Sequence, residues 1–222
     1  GGSNKYIEAI ISKKNFNYQT NKYVKKILRK NGGITLLFDN NEKFITKKVI
    51  IATHADQALA LLDNPTQSEI KILSKFKYST NCAYLHSDHS LMPKHKSIWS
   101  SWNFLGNNHK NSSFSLTYWM NLLQKLNGQK NFFVSINPLS VPKDFYNQTN
   151  FEHPIFTLDT LLSQKKINEI QGKKNTWFCG SYCGYGFHED GIQSAAYVAN
   201  LLNVKIPWNR DKNFFNRLEY NK

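Results

Sequence analysis

The sequence predicts a mixed α/β chain, and three observations carry that prediction. A β-branched run, Lys47-Lys48-Val49-Ile50-Ile51-Ala52-Thr53, ends in small residues, and helical spacing follows from His54 to Leu62. Toward the other end, Thr176 to Cys179 reads as a short strand, Gly180 to Gly186 as a glycine-rich loop and Gly191 to Leu202 as a helix. Residues 78–138 lie between them. They hold four segments rich in aromatic and β-forming residues, separated by polar turns, which read as an antiparallel sheet.

The remaining elements follow in order. Gly1-Gly2-Ser3 precedes Tyr6, Ile7, Ala9, Ile10 and Ile11, a spacing that suits a short amphipathic helix entered through a glycine turn. Tyr23, Val24, Ile27 and Leu28 lead to the turn Asn31-Gly32-Gly33. Ile34 to Phe38 then turns through Asp39-Asn40-Asn41 into Lys43 to Thr46, giving a meander of short antiparallel strands. The Val49 run reads as a buried strand that stops at a ligand or a helix. Asn64-Pro65 ends the helix after it, and Thr66-Gln67-Ser68-Glu69 reads as a capping box for a helix to Phe76. The four sheet segments are Cys82 to His86, Ile98 to Phe104, Phe114 to Met120 and Phe132 to Ile136. Asn107-Asn108-His109-Lys110 and Asn127-Gly128 are among the turns. Residues 139–156 read as irregular, and Leu158 to Ile170 as a helix. Trp99, Trp102, Tyr118 and Trp119 are expected in the core of the sheet, with one or two facing a pocket. His86, His89 and His95 are expected as polar loop residues.

The chain has 222 residues, 40% hydrophobic and 14% aromatic, enough for one large domain or two small ones. Its formal charge of +14 raises nucleic acid and anionic membrane as partners. The lysines are scattered in pairs such as Lys13-Lys14 and Lys165-Lys166, and no zinc-finger, RRM or basic-zipper motif is present. Peripheral contact with acidic lipid is therefore favoured over nucleic acid. Three cysteines do not describe a disulfide framework and suit a reducing, cytoplasmic compartment. No apolar stretch approaches the ~20 residues of a spanning helix.

Residues 176–196 hold the most chemistry. Glycines at 180, 184, 186 and 191 let backbone approach a ligand closely or adopt positive φ. The helix that follows begins with small residues, so its terminal N–H groups are open to a phosphate, a carboxylate or a flavin carbonyl. The alternative is a strand–turn–helix whose glycines serve only the turn. Cys179, Cys183 and His188 lack the spacing and the fourth ligand of a zinc site, so no metal is expected. No Ser/His/Asp triad or GK[ST] phosphate loop is readable.

The stretch from Thr176 to Ala196 resembles the C-terminal FAD motif of a bacterial group of predicted NAD/FAD-binding proteins in the flavin-containing amine oxidoreductase superfamily. The block Val49 to Leu62 is similar to the same group, as are Trp99 to Asn103, Thr117 to Asn121, Phe151 to Pro154 and the opening Gly1-Gly2-Ser3. The similarity runs in order over most of residues 1–208. It implies an α/β fold: a partial FAD/NAD(P)-binding, Rossmann-like domain with an inserted antiparallel-sheet substrate domain. The implied division is 1–62 and 170–208 for the FAD domain, 63–169 for the substrate domain and 209–222 for a C-terminal tail.

By position, the resemblance implies that Val24 holds the adenine ring through backbone groups and that Ala52 and Thr53 end the strand passing the cofactor. Gly180 and Ser181 would meet the ribityl and pyrophosphate part. Asp190, Gly191 and Ile192 would begin a helix aimed at the flavin pyrimidine, with Tyr185 and Gly186 close by. His188 stands nearest to where many amine oxidases place an aromatic facing the flavin. It is a candidate proton donor or pocket ring, or simply a residue that caps the turn. The implied activity is hydride transfer between a lipid or amine substrate and FAD. The alternative is a non-catalytic interaction fragment without flavin. Relatives begin with a βαβ unit carrying G-x-G-x-x-G, absent from this sequence, so the chain is expected to be a fragment that binds FAD weakly or not at all by itself.

Overall fold

The computed structural model describes residues 4–13, 16–30, 32–106, 114–208 and 214–218. The chain divides into two compact units, Gly1–Tyr18 with Thr80–His153, and Gln19–Ser79 with Pro154–Lys222. These boundaries differ from 62/63 and 169/170, and packing explains the difference. Ile72, Leu73, Phe76, Ile167 and Ile170 bury themselves in one cluster with Ile27, Ile51 and Phe178, so they fold with the outer segments.

Helix α1 (Asn4–Ser12) opens the described chain, with Tyr6, Ile7 and Ile10 half-exposed. The glycine turn expected at residues 1–3 lies outside the described residues. Strands β1 (Val24–Lys30), β2 (Gly33–Phe38) and β3 (Lys43–Thr46) form an antiparallel meander in that order. Gly32, at φ +76°, turns β1 into β2 in a conformation that favours glycine. The next turn is braced by side chains: the amides of Asn40 and Glu42 donate to Asp39 Oδ1 at 2.9 Å and Asn40 Oδ1 at 3.1 Å. A register shift between Val24 and Lys26 leaves Val24, Ile27 and Leu36 all packed on the core.

Strand β4 (Val49–Ile51) leads into helices α2 (Ala55–Leu61) and α3 (Gln67–Leu73). The expected capping box forms. Glu69 N–H donates to Thr66 Oγ1 at 3.2 Å, and Thr66 N–H donates to Glu69 Oε2 at 2.6 Å. The helix stops at Leu73, short of Phe76.

Strands β5 (Lys77–His86), β6 (Trp102–Gly106), β7 (Phe114–Trp119), β8 (Phe133–Ile136) and β9 (Phe145–Ile155) form a five-stranded sheet in the order β6-β7-β8-β5-β9. Helix α4 (Met120–Leu123) follows β7. Strand β6 starts at Trp102 because Lys96–Ile98 makes a 3₁₀ turn. The expected turn at Asn107–Lys110 lies outside the described residues. Residues 139–156 correct the irregular reading, since they include the 11-residue edge strand β9. Nearly all its side chains are exposed, so no buried alternation marked it, and an edge position tolerates Pro154.

Of the aromatics expected in the core of the sheet, Trp99, Tyr118 and Trp119 are partly buried and Trp102 is open. Trp102 is 59% exposed, and Phe104 and Phe114 stack at 5.1 Å on the same open face. Beside Phe133, Ala83 and Tyr84, the buried positions of the sheet are polar: Asn103, Ser115, Thr117, Ser135 and His86. Hydrogen bonds make that burial tolerable for these residues other than Ser115, whose Oγ has no partner among the described residues. Thr117 Oγ1 and Ser135 Oγ lie 2.6 Å apart, and His86 Nε2 lies 2.8 Å from Ser135 Oγ. His86, expected in a loop, is thus a fully buried strand residue. Burial holds its imidazole below the ordinary 6.5, although Asp88 pulls the other way.

Helix α5 (Leu158–Gln164) stops before Ile170, and Ile167–Glu169 continues as a 3₁₀ turn. Strand β10 (Thr176–Phe178) pairs parallel with β4, in the register Thr176↔Val49, Trp177↔Ile50 and Phe178↔Ile51. Helix α6 (His188–Leu201) begins three residues before Gly191. The chain is therefore a mixed α/β protein with antiparallel sheets and one parallel strand pair. No helix among the described residues is long and apolar enough to cross a membrane.

Arg29 and Glu69 tie this arrangement together. Arg29 Nη1 donates to Glu69 Oε1 at 2.6 Å and Nη2 to Oε2 at 2.9 Å, with both side chains almost wholly buried. Burial alone would raise the Glu69 carboxyl, but Arg29 and the Thr66 amide outweigh it and hold it below 4.5. Because the folded value is depressed, this contribution to stability is full above 4.5 and is lost as pH falls below it. Arg29→Met would strand a buried carboxylate. We predict a loss of about 3–5 kcal/mol in urea unfolding at pH 7, partly relieved by adding Glu69→Gln. A loss below about 1 kcal/mol, the range of surface pairs, would show that the pair does not organise the core.

Candidate functional site

The carboxyl ends of the two parallel strands converge within the second unit. Strand β4 ends at Ile51 and passes to Ala52 and Thr53; β10 ends at Phe178 and passes to Cys179 and Gly180. Cys179 N–H donates to Ile51 O at 3.1 Å and extends the pairing by one residue. A Cβ on Gly180 would lie 3.6 Å from the Thr53 carbonyl oxygen, so the two turns are neighbours. That Cβ would also meet the Tyr182 ring at 2.7 Å, which only a glycine avoids. In open α/β sheets, ligands bind in the crevice outside such strand ends.

Two polar side chains hold the turn. Ser194, on α6, accepts from Gly180 N–H at 2.9 Å, while its hydroxyl lies 2.8 Å from Gly191 O and 3.2 Å from Gly180 O. Gln164, at the end of α5, donates through Nε2 to the carbonyls of Tyr182 and Gly184 at 2.8 and 2.6 Å. Sequence reasoning missed both. A Gln closing one helix and a Ser inside another carry no spacing signal, and only their burial reveals the role. Tyr182 packs edge-on against Phe76 at 5.0 Å and anchors the loop to the core.

Helix α6 points its N-terminal end into this turn, with a Cβ on Gly191 lying 3.8 Å from Ser181 N. Helix geometry leaves first-turn amides without intrahelical acceptors and gives that end a partial positive charge. Asp190 is fully buried and its carboxylate is engaged: Oδ2 accepts Phe187 N–H at 2.7 Å, and Oδ1 accepts Arg217 Nε at 2.6 Å. Tyr185, His188 and Ile192 are exposed around the helix end. Gly186, at φ +90°, lies against Pro154 and Phe156.

A groove of about 630 Å³ opens between the meander, β4 and α2. Val24, Ala52 and Thr53 line it together, so the structure joins three of the residues singled out from sequence. Ile27, Leu36 and Ile51 give it apolar walls, and Lys22 and Lys25 lie at its polar boundary. Among the described residues, no three His, Cys, Asp or Glu side chains converge as for a metal. Cys179 and Cys183 are buried, and burial pushes the Cys179 thiol up to about 11, far from a reactive thiolate at neutral pH.

The loop is packed tightly enough to test. A Cβ on Gly184 would fall 2.5 Å from Asp190 Oδ1 and 2.9 Å from Asp190 Cβ. Gly184→Ala should destabilise the chain by about 1–3 kcal/mol as an overpacked site. It should also raise amide exchange over residues 181–191 before it does so in β4 or β10. Exchange unchanged in that loop would show that Gly184 is there for the turn alone.

No known protein-family profile matches the chain, and no curated protein is similar to it in sequence. Solved structures do share its fold. A CLA-producing fatty acid isomerase from P. acnes superposes with a TM-score of 0.62 at 10% identity, covering 91% of this chain and 51% of that one. Wild-type putrescine oxidase bound to putrescine gives 0.63 at 11% identity, covering 91% and 53%. Reduced UDP-galactopyranose mutase gives 0.56 at 11% identity, covering 90% and 50%. The chain thus spans about half the length of these like-folded proteins.

Proposed function

We propose that this chain is part of a FAD-dependent oxidoreductase of the amine-oxidase-like kind. The observation that carries this reading is the meeting of Thr53 with Gly180, and of Ser181 with Gly191, at the carboxyl ends of β4 and β10. The likeness to an isomerase, an oxidase and a mutase does not choose a reaction, because one fold hosts many.

The chemistry of the groove fits such a cofactor. Apolar walls at Val24, Ile27 and Leu36 suit a flat adenine ring, and Lys25 suits phosphate charge, Lys22 being paired with Glu42. In this assignment Val24, Ala52 and Thr53 serve the adenosine side, and Gly180 and Ser181 the ribityl and pyrophosphate side. Gly191 and Ile192 serve the pyrimidine through α6, with Tyr185 and Gly186 beside them. Bound flavin would supply a hydride acceptor for a C–H or C–N bond. The α6 amides would offset developing negative charge, and Ser194 and Gln164 would keep the turn from moving as that charge appears. His188, exposed in the first turn of α6, is the candidate for proton transfer or for the substrate-side ring.

An apolar substrate, a lipid acyl chain or an amine with an alkyl body, fits the open aromatic face of the five-stranded sheet at Trp102, Phe104 and Phe114. Two of the like-folded proteins are named for a fatty acid and for putrescine. Peripheral attraction to acidic lipid, a cytoplasmic place and the formal charge of +14 are parts of the same proposal.

A second reading, a non-catalytic interaction fragment, is favoured by β4. Its outer edge pairs with no strand among the described residues, and Ile50 is 49% exposed. Parallel strands are ordinarily covered.

The visible spectrum separates the two. The chain alone should show little flavin, and the chain carrying an upstream G-x-G-x-x-G segment should show a stoichiometric flavin band. Flavin in neither form would leave the interaction reading. For the lipid proposal, the longer form should sediment with phosphatidylserine vesicles at low salt and be released at high salt. Equal recovery with neutral vesicles would sink the electrostatic part of it.

A further inference from the structure

Residues 214–218 return to the glycine turn from the far end of the chain. Leu218 is fully buried in the main core, and Phe215 packs edge-on against Tyr197 at 5.5 Å. Arg217 is held between them. Its Nε donates to Asp190 Oδ1 at 2.6 Å and its Nη2 to Oδ2 at 3.3 Å. Its backbone N–H donates to Gln193 Oε1 at 3.2 Å. Its guanidinium carbon lies 5.4 Å from the Phe187 ring centre and 5.7 Å from that of Tyr185.

Asp190 gives this contact its weight. The carboxylate is fully buried, caps the Phe187 amide, and touches Gly184 so closely that no side chain fits there. A buried carboxylate without a cation is strongly disfavoured. Its charge would also cancel the positive end of α6, which any anion or electron-rich carbonyl at that turn would need. Arg217 answers both problems and is itself 32% exposed, so it can leave the site without crossing the core.

We infer that residues 214–218 form a clasp on the glycine turn, with Arg217 as a positioning residue that neutralises Asp190 and lies beside the rings of Tyr185 and Phe187. The clasp holds residues 184–191 in their binding form, and its release loosens them. This rests on the flavin reading only for what the turn would face; the clasp itself is a property of this chain.

Hydrogen exchange of the Phe187 and Gly191 amides tests it without cofactor. Arg217→Met should speed both by about tenfold or more, the effect of losing a charged hydrogen bond, with β4 and β10 unchanged. Asp190→Asn in the same chain should restore most of the protection, because the buried charge is gone while an acceptor for Phe187 N–H remains. Arg217→Lys should lie between. Exchange in Arg217→Met equal to the parent would overturn the clasp. So would a double variant as fast as Arg217→Met, since Arg217 would then act by packing alone. If Arg217→Met unfolds the chain, the double variant should still fold and protect the turn; its failure to do so has the same meaning. Absence of flavin from the longer form, with this exchange pattern intact, would reject the cofactor reading and leave the clasp.

Discussion

The Arg29–Glu69 ion pair joins segments that lie far apart in the chain and also share one buried apolar cluster. Arg29 comes from the meander, Glu69 from the capping box of α3, and Arg29 Nη1 also approaches Thr176 Oγ1 of β10 at 3.4 Å, while Nη2 donates to Asn64 O at 3.0 Å. The same carboxylate caps its own helix through the Thr66 amide. One guanidinium therefore sets where β1, α3 and β10 stand relative to each other. A buried pair of this kind contributes specificity more than net stability, since apolar replacements of similar size can do as well or better. Here the specificity concerns the strand β10 that delivers Gly180 to its place.

The turn after β10 shows how a flexible sequence becomes a fixed surface. At Gly180 and Gly184 an added Cβ would fall 2.7 Å from the Tyr182 ring and 2.5 Å from Asp190 Oδ1, so a side chain there would force its neighbours to move. Freedom of that kind costs order unless other groups remove it. Ser194, Gln164 and Asp190 do so by satisfying backbone groups of the turn from two helices. The result is a rigid loop at the end of a parallel strand pair, beside a helix terminus, with an apolar groove adjoining Thr53.

The five-stranded sheet follows a different logic. Its covered face holds a hydrogen-bonded polar chain through His86, Ser135 and Thr117 beside fully buried Phe133, while Trp102, Phe104 and Phe114 remain open. Buried polar chains specify a register, because a one-residue slip would leave several groups without partners. Open aromatics on the other face are an unusual choice for a solvated surface.

Local chemistry in the sequence determined much of this protein. Thr66-x-x-Glu69 announced its capping box, Gly32 and Asp39-Asn40-Asn41 their turns, and Val49-Ile50-Ile51 and Thr176-Trp177-Phe178 their strands, because each signal acts within a few residues. Val24, Ala52 and Thr53, singled out from sequence, line one groove. Tertiary structure alone decided the rest. Strand β9 has no buried alternation to read; His86 is polar yet buried; Ser194, Gln164 and Arg217 act on backbone or charge 14 or more residues away. Those roles depend on which groups burial strips of water, and a buried donor or carboxylate must then find its partner wherever the fold brings one.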